Sequence, residues 1–200
     1  DIDGESSGDY SGRSVSLSAD GAIVAIGAIS NDGNGNASGH VRVYQYSGST
    51  WVQLGVDIDG EENGDGSGLS VSLSTDGTRV AIGSRHNDGN GNNTGHVRIY
   101  GFIGSNWVQL GDDIDGEEAQ GNSGSSVFLS ANGNRVVVLT PTPPATVLGY
   151  ARVYEYTGST WVQLGENITV DGLLYTANSS VSLNYEGTRL AIGGSYNDDN

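Results

Sequence analysis

The chain has 200 residues, 24 Asp plus Glu against eight Arg and no Lys, and a formal net charge of −16; it has no Cys and no Met. That charge repels nucleic-acid phosphates and anionic lipid and favours cations or plain solubility. The lack of Cys excludes a disulfide scaffold, and no apolar run approaches a membrane span, so neither nucleic acid nor membrane insertion is expected.

The elements repeat along the chain. "DIDGE" starts at Asp1, Asp57 and Asp113, and its fourth copy has decayed to "NITVD" at Asn167. "SVSLSADG" at Ser14 returns as "SVSLSTDG" at Ser70, "SVFLSANG" at Ser126 and "SVSLNYEG" at Ser180, at intervals of 56, 56 and 54 residues. Such a period marks a repeat architecture. The expected organisation is one repeat domain over 1–200, a segment of a longer chain, with units at 14–69, 70–125, 126–179 and a partial 180–200.

Each unit predicts four short strands. In the first, Ser14–Ser18 alternates apolar and Ser, as a strand with one buried face does. "ADG" then makes a hairpin turn, because Asp-Gly readily takes positive φ. Ile23–Ala28 is apolar almost throughout, which predicts burial of both faces. His40–Tyr46 and Trp51–Leu54 follow, rich in Val, Tyr and Trp and joined by "SGST". No helical period persists. The fold class is therefore all-β, with four antiparallel strands per repeat of about 56 residues, the blade of a β-propeller. A linear array of such units is the alternative, and in either case the apolar faces must stack.

The units resemble FG-GAP repeats, the blades of integrin α-chain heads and of many secreted microbial and algal proteins. "SGRSV" (Ser11–Val15), "SGLSV" (Ser67–Val71) and "SGSSV" (Ser123–Val127) stand where that family has Phe-Gly-x-Ser-Val, with Ser for Phe. "IGAI" (Ile26–Ile29), "IGSR" (Ile82–Arg85) and "IGGS" (Ile192–Ser195) stand at its Gly-Ala-Pro, without the Pro. "GHVRVY" resembles the strand that follows. The resemblance implies a propeller; it fixes no activity. The calcium-binding members carry Asp-x-Asp-x-Asp-Gly between the first two strands. Here those hairpins read only "ADG", "TDG", "ANG" and "EG", so that ligand set does not transfer.

Three kinds of site compete. Asp57, Asp59, Glu61 and Asp65 gather four carboxylates within nine residues, and Asp113, Asp115 and Glu117 echo them. Clustered carboxylates repel unless solvated or bridged by a cation, so calcium is one expectation and solvated turn residues the other. Asp32, Asn34 and Asn36, repeated as Asp88, Asn90 and Asn92, place oxygens at alternate positions of a Gly-rich turn, a weaker calcium pattern that a simple polar turn explains too. The sequons Asn36-Ala-Ser, Asn92-Asn-Thr, Asn167-Ile-Thr and Asn178-Ser-Ser would carry N-linked glycans in a eukaryotic host. Sugar and cation compete for Asn36, and the sugar is favoured.

The third unit replaces the loop by "TPTPPATVLG" (Thr140–Gly149), a stiff Pro-rich stretch open to O-glycosylation or a partner, or simply a tolerated variant. His40 and His96 recur before the third strand with Tyr150 in the third copy, which points to packing or an edge contact. Arg42, Arg98 and Arg152 should pair with acids or cover aromatic faces. Trp51, Trp107 and Trp161 should anchor the core. No catalytic constellation stands out, so no enzyme is expected. The function expected is an extracellular or cell-surface, acidic, glycosylated structural or assembly module of a filament or coat. It would self-associate or meet other extracellular proteins or glycans. A calcium-dependent adhesion or glycan-binding propeller is the alternative, and an accessory domain of a secreted enzyme the third reading.

Overall fold

A computed structural model describes residues 1–141, 149–169 and 179–194. Among them every regular element is a strand. The first blade holds β1 (Ser11–Leu17), β2 (Ile23–Ala28), β3 (His40–Tyr46), β4 (Trp51–Gln53) and β5 (Ile58–Asp59). The second holds β6 (Ser70–Leu73), β7 (Arg79–Ser84), β8 (His96–Ile103), β9 (Asn106–Gln109) and β10 (Ile114–Asp115). The third holds β11 (Ser126–Leu129), β12 (Arg135–Thr140), β13 (Tyr150–Tyr156), β14 (Trp161–Gln163) and β15 (Ile168–Thr169). β16 (Ser180–Leu183) and β17 (Leu190–Gly193) form a two-stranded sheet after them. All strand pairs are antiparallel. These sheets are propeller blades.

The second and third strands run as predicted, residue for residue in the first blade. The fourth differs. Tyr44–Tyr46 pairs with β4, and His40–Val41 pairs with β5. The outer strand is thus broken by a bulge at 54–57 and then rejoins the sheet. A bulge leaves residues unpaired and re-aims its side chains; here it turns Asp57 toward the start of β3.

Blades pack face to face. Ala25, Val41 and Val43 of the first blade share a core with Leu73, Val80 and Ile82 of the second, joined by Trp107. Val97 and Ile99 meet Val127, Leu129, Val136 and Val138 of the third, and Val137, Leu139 and Ala151 meet Val181 and Leu183 beyond it. Each such fully buried aliphatic side chain stabilises the fold by about 1.5–3 kcal/mol relative to exposure. The expected burial of both faces holds for β7 and β12, whose central residues are all buried. It fails for β2, where Ile23, Val24 and Ile26 are half-buried. Val15 and Leu17 are 64% and 57% exposed, while their counterparts Val127 and Leu129 are 5% and 2% exposed. The reason is geometric: among the described residues, the face of the first blade that carries them meets no other blade.

Polar contacts repeat at each junction. Ser14 Oγ donates to Gly68 O (2.6 Å) and Ser70 Oγ to Gly124 O (2.8 Å). The Leu73 and Leu129 amides donate to Ser16 and Ser72 Oγ, both at 2.9 Å. Trp107 Nε1 donates to Leu54 O (2.7 Å) and Trp161 Nε1 to Leu110 O (2.6 Å), so the predicted anchors reach back into the preceding blade. The Ser faces of the first strands are therefore inter-blade ladders. The part-buried amides and hydroxyls there are paired across the junction.

The repeated loop has a place in this scheme. Asn36, Ala37 and Ser38 carbonyls accept from the amides of Gly64, Gly66 and Ser67, in the connection to the next blade. Asn92, Asn93 and Thr94 do the same for Gln120, Asn122 and Ser123. The fourteen-residue repeat is a clamp on the inter-blade connection. Its tight course needs positive φ at Gly35, Ala37 and Gly39, and again at Gly91, Asn93 and Gly95. At Gly39 a Cβ would also collide with Ser67 O.

Candidate functional site

The start of each third strand is buried: His40 is 2% exposed and His96 1%. Both histidines face carboxylates from two directions. His40 Nδ1 lies 3.9 Å from Glu5 Oε2 and 3.7 Å from Asp57 Oδ2. His96 Nδ1 lies 3.8 Å from Glu61 Oε2 and 3.3 Å from Asp113 Oδ2. The glutamate arrives on the segment that leads into the blade, the aspartate on the bulge of the blade's own outer strand.

Each carboxylate is held by its other oxygen. Gln53 Nε2 donates to Asp57 Oδ1 (2.5 Å), and Gln109 Nε2 to Asp113 Oδ1 (2.6 Å). Arg42 Nη1 approaches Glu5 Oε1 at 3.6 Å, and Arg98 Nη1 approaches Glu61 Oε1 at 3.5 Å. The arginines are themselves fixed, since Arg42 Nη2 donates to Asp3 O (2.8 Å) and Arg98 Nη2 to Asp59 O (2.7 Å). They also lie over Tyr44 and Tyr100 at 5.6 and 5.7 Å. Both expectations for the arginines, acids and aromatic faces, meet in one side chain.

The electrostatics follow from this packing. The hydrogen bond from His96 holds the Asp113 carboxyl below the usual range. Burial and the neighbouring Asp113 push Asp115 up, and burial with Asp57 does the same to Asp59. The two aspartates of each "DID" thus sit in different surroundings, one turned in toward His, the other at the exposed edge and raised by partial burial and by the first aspartate's charge.

The structure deals the expected calcium cluster to separate partners. Asp57 joins Glu5 and His40, while Glu61 crosses to His96 and Arg98. Asp65 is buried and accepts from Asn87 Nδ2 (3.0 Å) and the Glu62 amide (3.1 Å). Glu117 pairs with Arg152 at 2.9 Å, and Asp115 offers its carbonyl to the same arginine. The loop residues are engaged in the clamp: Asp32 accepts from the Ala37 amide and Asp88 from the Asn93 amide. Asn34 and Asn90 donate to Gly60 O and Gly116 O. Asn36, Asn92 and Asn167 are exposed; Asn178 lies outside the described residues, as do residues 142–148 of the Pro-rich loop. Sequence reasoning missed Glu5 and set the histidines aside as packing. One signal was present: the third copy replaces His by Tyr150 and the first Asp by Asn167 together.

Residues 3–44 match the FG-GAP repeat. The other FG-GAP-like units follow from the internal repeat of the same sequence. No curated protein matches the chain. Among solved structures, a candidate 6-phosphogluconolactonase from Bacteroides uniformis superposes with a TM-score of 0.60 at 12% identity, over 90% of this chain and 46% of its own. A second, from Bacteroides fragilis, gives a TM-score of 0.51 at 15% identity, over 78% of this chain and 38% of its own. The chain thus spans less than half the length of either. At such identity the likeness is one of fold alone. The expectation of no enzyme is corrected only to this extent: both neighbours are named for an enzyme, so the fold itself does not rule one out.

Proposed function

We propose that this FG-GAP propeller-type module is an extracellular or cell-surface assembly unit, acidic outside and glycosylated at Asn36 and Asn92, that associates through its blade faces. One observation carries the reading. The half-junction that the second and third blades present to a preceding blade is open on the first among the described residues: Val15 and Leu17 are 64% and 57% exposed. Their counterparts Leu73, Val127 and Leu129 are buried at the internal junctions, and Val71 is partly buried there. An apolar face with a regular donor pattern is suited to a further blade, from the same protein or from another copy. The sugar reading is supported by the exposure of Asn36 and Asn92 at equivalent points of the clamp loop.

Sedimentation and electron microscopy test the assembly. The chain should form concentration-dependent multimers, and Val15→Glu with Leu17→Glu should return it to monomer with its strand content intact. A wild-type chain that stays monomeric at all concentrations sinks the reading. Intact mass of native material from a eukaryotic host tests the sugar; unmodified Asn36 and Asn92 would refute that part.

A further inference from the structure

We propose that Glu5, His40 and Asp57, and equally Glu61, His96 and Asp113, are twin sites for a divalent transition cation of the zinc type, each tying the segment that enters a blade to that blade's third and outer strands. In each trio the nitrogen and the two carboxylate oxygens lie within 4.8 Å of one another. Zinc bonds of about 2.0–2.2 Å in a tetrahedron separate donors by about 3.3–3.6 Å. The His–carboxylate distances of 3.3–3.9 Å are close to that spacing, and the two carboxylate oxygens of each trio lie within 4.8 Å of each other.

Three features single out a cation. His40 is almost wholly buried, yet its Nδ1 has no hydrogen-bond partner and points into the first trio, whereas in the second trio His96 Nδ1 lies 3.3 Å from Asp113 and it is Nε2 that has no partner. A buried polar nitrogen without a partner is costly. Next, each carboxylate has one oxygen held by Gln or Arg and turns the other toward His. Such outer contacts orient the ligands of metal sites. Finally, the third blade changes the imidazole and the aspartate together and keeps the glutamate. Tyr150 replaces His, Asn167 replaces Asp, and Glu117 closes on Arg152 to 2.9 Å rather than 3.5–3.6 Å. Gln163 still holds Asn167 Oδ1, at 3.0 Å. The scaffold and the glutamate remain, and the other two ligands are gone.

The donors choose the ion. Calcium takes six to eight oxygens. Here the buried donor is an imidazole, which suits zinc and its neighbours, with room for water on the exposed carboxylate side. The nearby guanidinium lowers the negative charge available to the cation, which argues for moderate affinity and against a permanently held ion.

The test is calorimetric titration of the chelator-stripped chain with zinc chloride, with cobalt chloride as a spectroscopic probe of nitrogen–oxygen ligation. Two saturable equivalents are expected. His96→Tyr with Asp113→Asn copies the third blade and should leave one. Tyr150→His with Asn167→Asp should raise the count to three, with far-ultraviolet dichroism unchanged in both. Zinc should raise the melting temperature of the wild type more than that of the first variant. An absent saturable zinc site, a stoichiometry that is the same in all three proteins, or binding of calcium in place of zinc would each overturn the proposal and leave a plain ion-pair cluster.

Discussion

The second and third blades share a frame and differ in how they are fastened. In both, the connection that enters is gripped by the loop of the blade before, but in the second Glu61 lies against both His96 and Arg98, whereas in the third, among the described residues, Glu117 closes on Arg152 alone. Their cores are alike, since Val80 and Val136 are equally buried, and both donate an indole N–H to the blade before. What the difference teaches is that stacking comes from the apolar faces and the ladders, whereas the His–carboxylate fastening is an addition that one blade does without.

The largest effects should therefore come from the shared parts. Trp107→Ala removes a side chain that is 8% exposed and leaves Leu54 O unpaired. It should cost about 3–5 kcal/mol, the usual range for a buried Trp cut to Ala. Trp51→Ala removes the half-buried counterpart on the open first blade and should cost clearly less. Urea midpoints of the two variants compare a covered junction with a bare one. Equal losses would break the claim that inter-blade burial sets the stability.

The clamp loop comes next. Gly39→Ala and Gly95→Ala each place a Cβ at positive φ and against the carbonyl of the connecting segment, Ser67 or Ser123. Overpacking and strain together should cost about 1–3 kcal/mol. Limited proteolysis should then cut near residues 60–67 in the first variant and 116–123 in the second. Cleavage elsewhere would show that the loop does not hold the connection.

These positions also show what could be read from the chain and what could not. Ile23–Ala28 and His40–Tyr46 were visible at their true limits, because β-branched and aromatic runs bounded by Gly and Asn leave little choice. The repeat at Ser14, Ser70, Ser126 and Ser180 gave the blades. Ile58–Asp59 was not visible as a strand, since two residues carry no period; it rejoins the sheet only because the bulge consumes the residues before it. The trio of Glu5, His40 and Asp57 spans a blade and its entry segment, so no linear window contains it. Four carboxylates in a row suggested one cluster, yet their carrier chain crosses from blade to blade and divides them. Ser14 and Ser16 read as a solvent face, and neighbouring backbone takes them as partners instead.

A smaller effect should separate the two aspartates of one motif. Asp113 is held low by His96, so its folded carboxyl favours ionisation. Its stabilisation is present above the ordinary carboxylate range and is lost as pH falls through its lowered value. Asp115 is pushed up by burial and by Asp113, so its contribution has the opposite sign, present at low pH and lost as pH rises through its raised value. At neutral pH, Asp113→Asn should lower the melting temperature and Asp115→Asn should raise it. Between pH 3 and 5, roughly the window around the ordinary Asp value, both differences should shrink. Shifts of the same sign at neutral pH would contradict the packing described for the motif.

The smallest effect tests the repeated sequon itself. Asn36 is exposed and its side chain makes no hydrogen bond among the described residues, whereas Ser38 is wholly buried and its hydroxyl lies 3.4 Å from Asn31 O. In protein made without glycosylation, Asn36→Gln should stay within about 0.5 kcal/mol of wild type, as surface changes do. Ser38→Ala should cost about 1 kcal/mol through the lost hydrogen bond and packing, since Asn31 O keeps the Gly39 amide. Both remove the sequon, so in a glycosylating host both should lose the same glycan mass. If the two variants match in stability in bare protein and also in glycosylated protein, the serine has no structural reason to recur. If only Ser38→Ala is destabilised and neither wild-type form carries sugar, packing in the clamp accounts for the repeated Asn-x-Ser/Thr without any glycan.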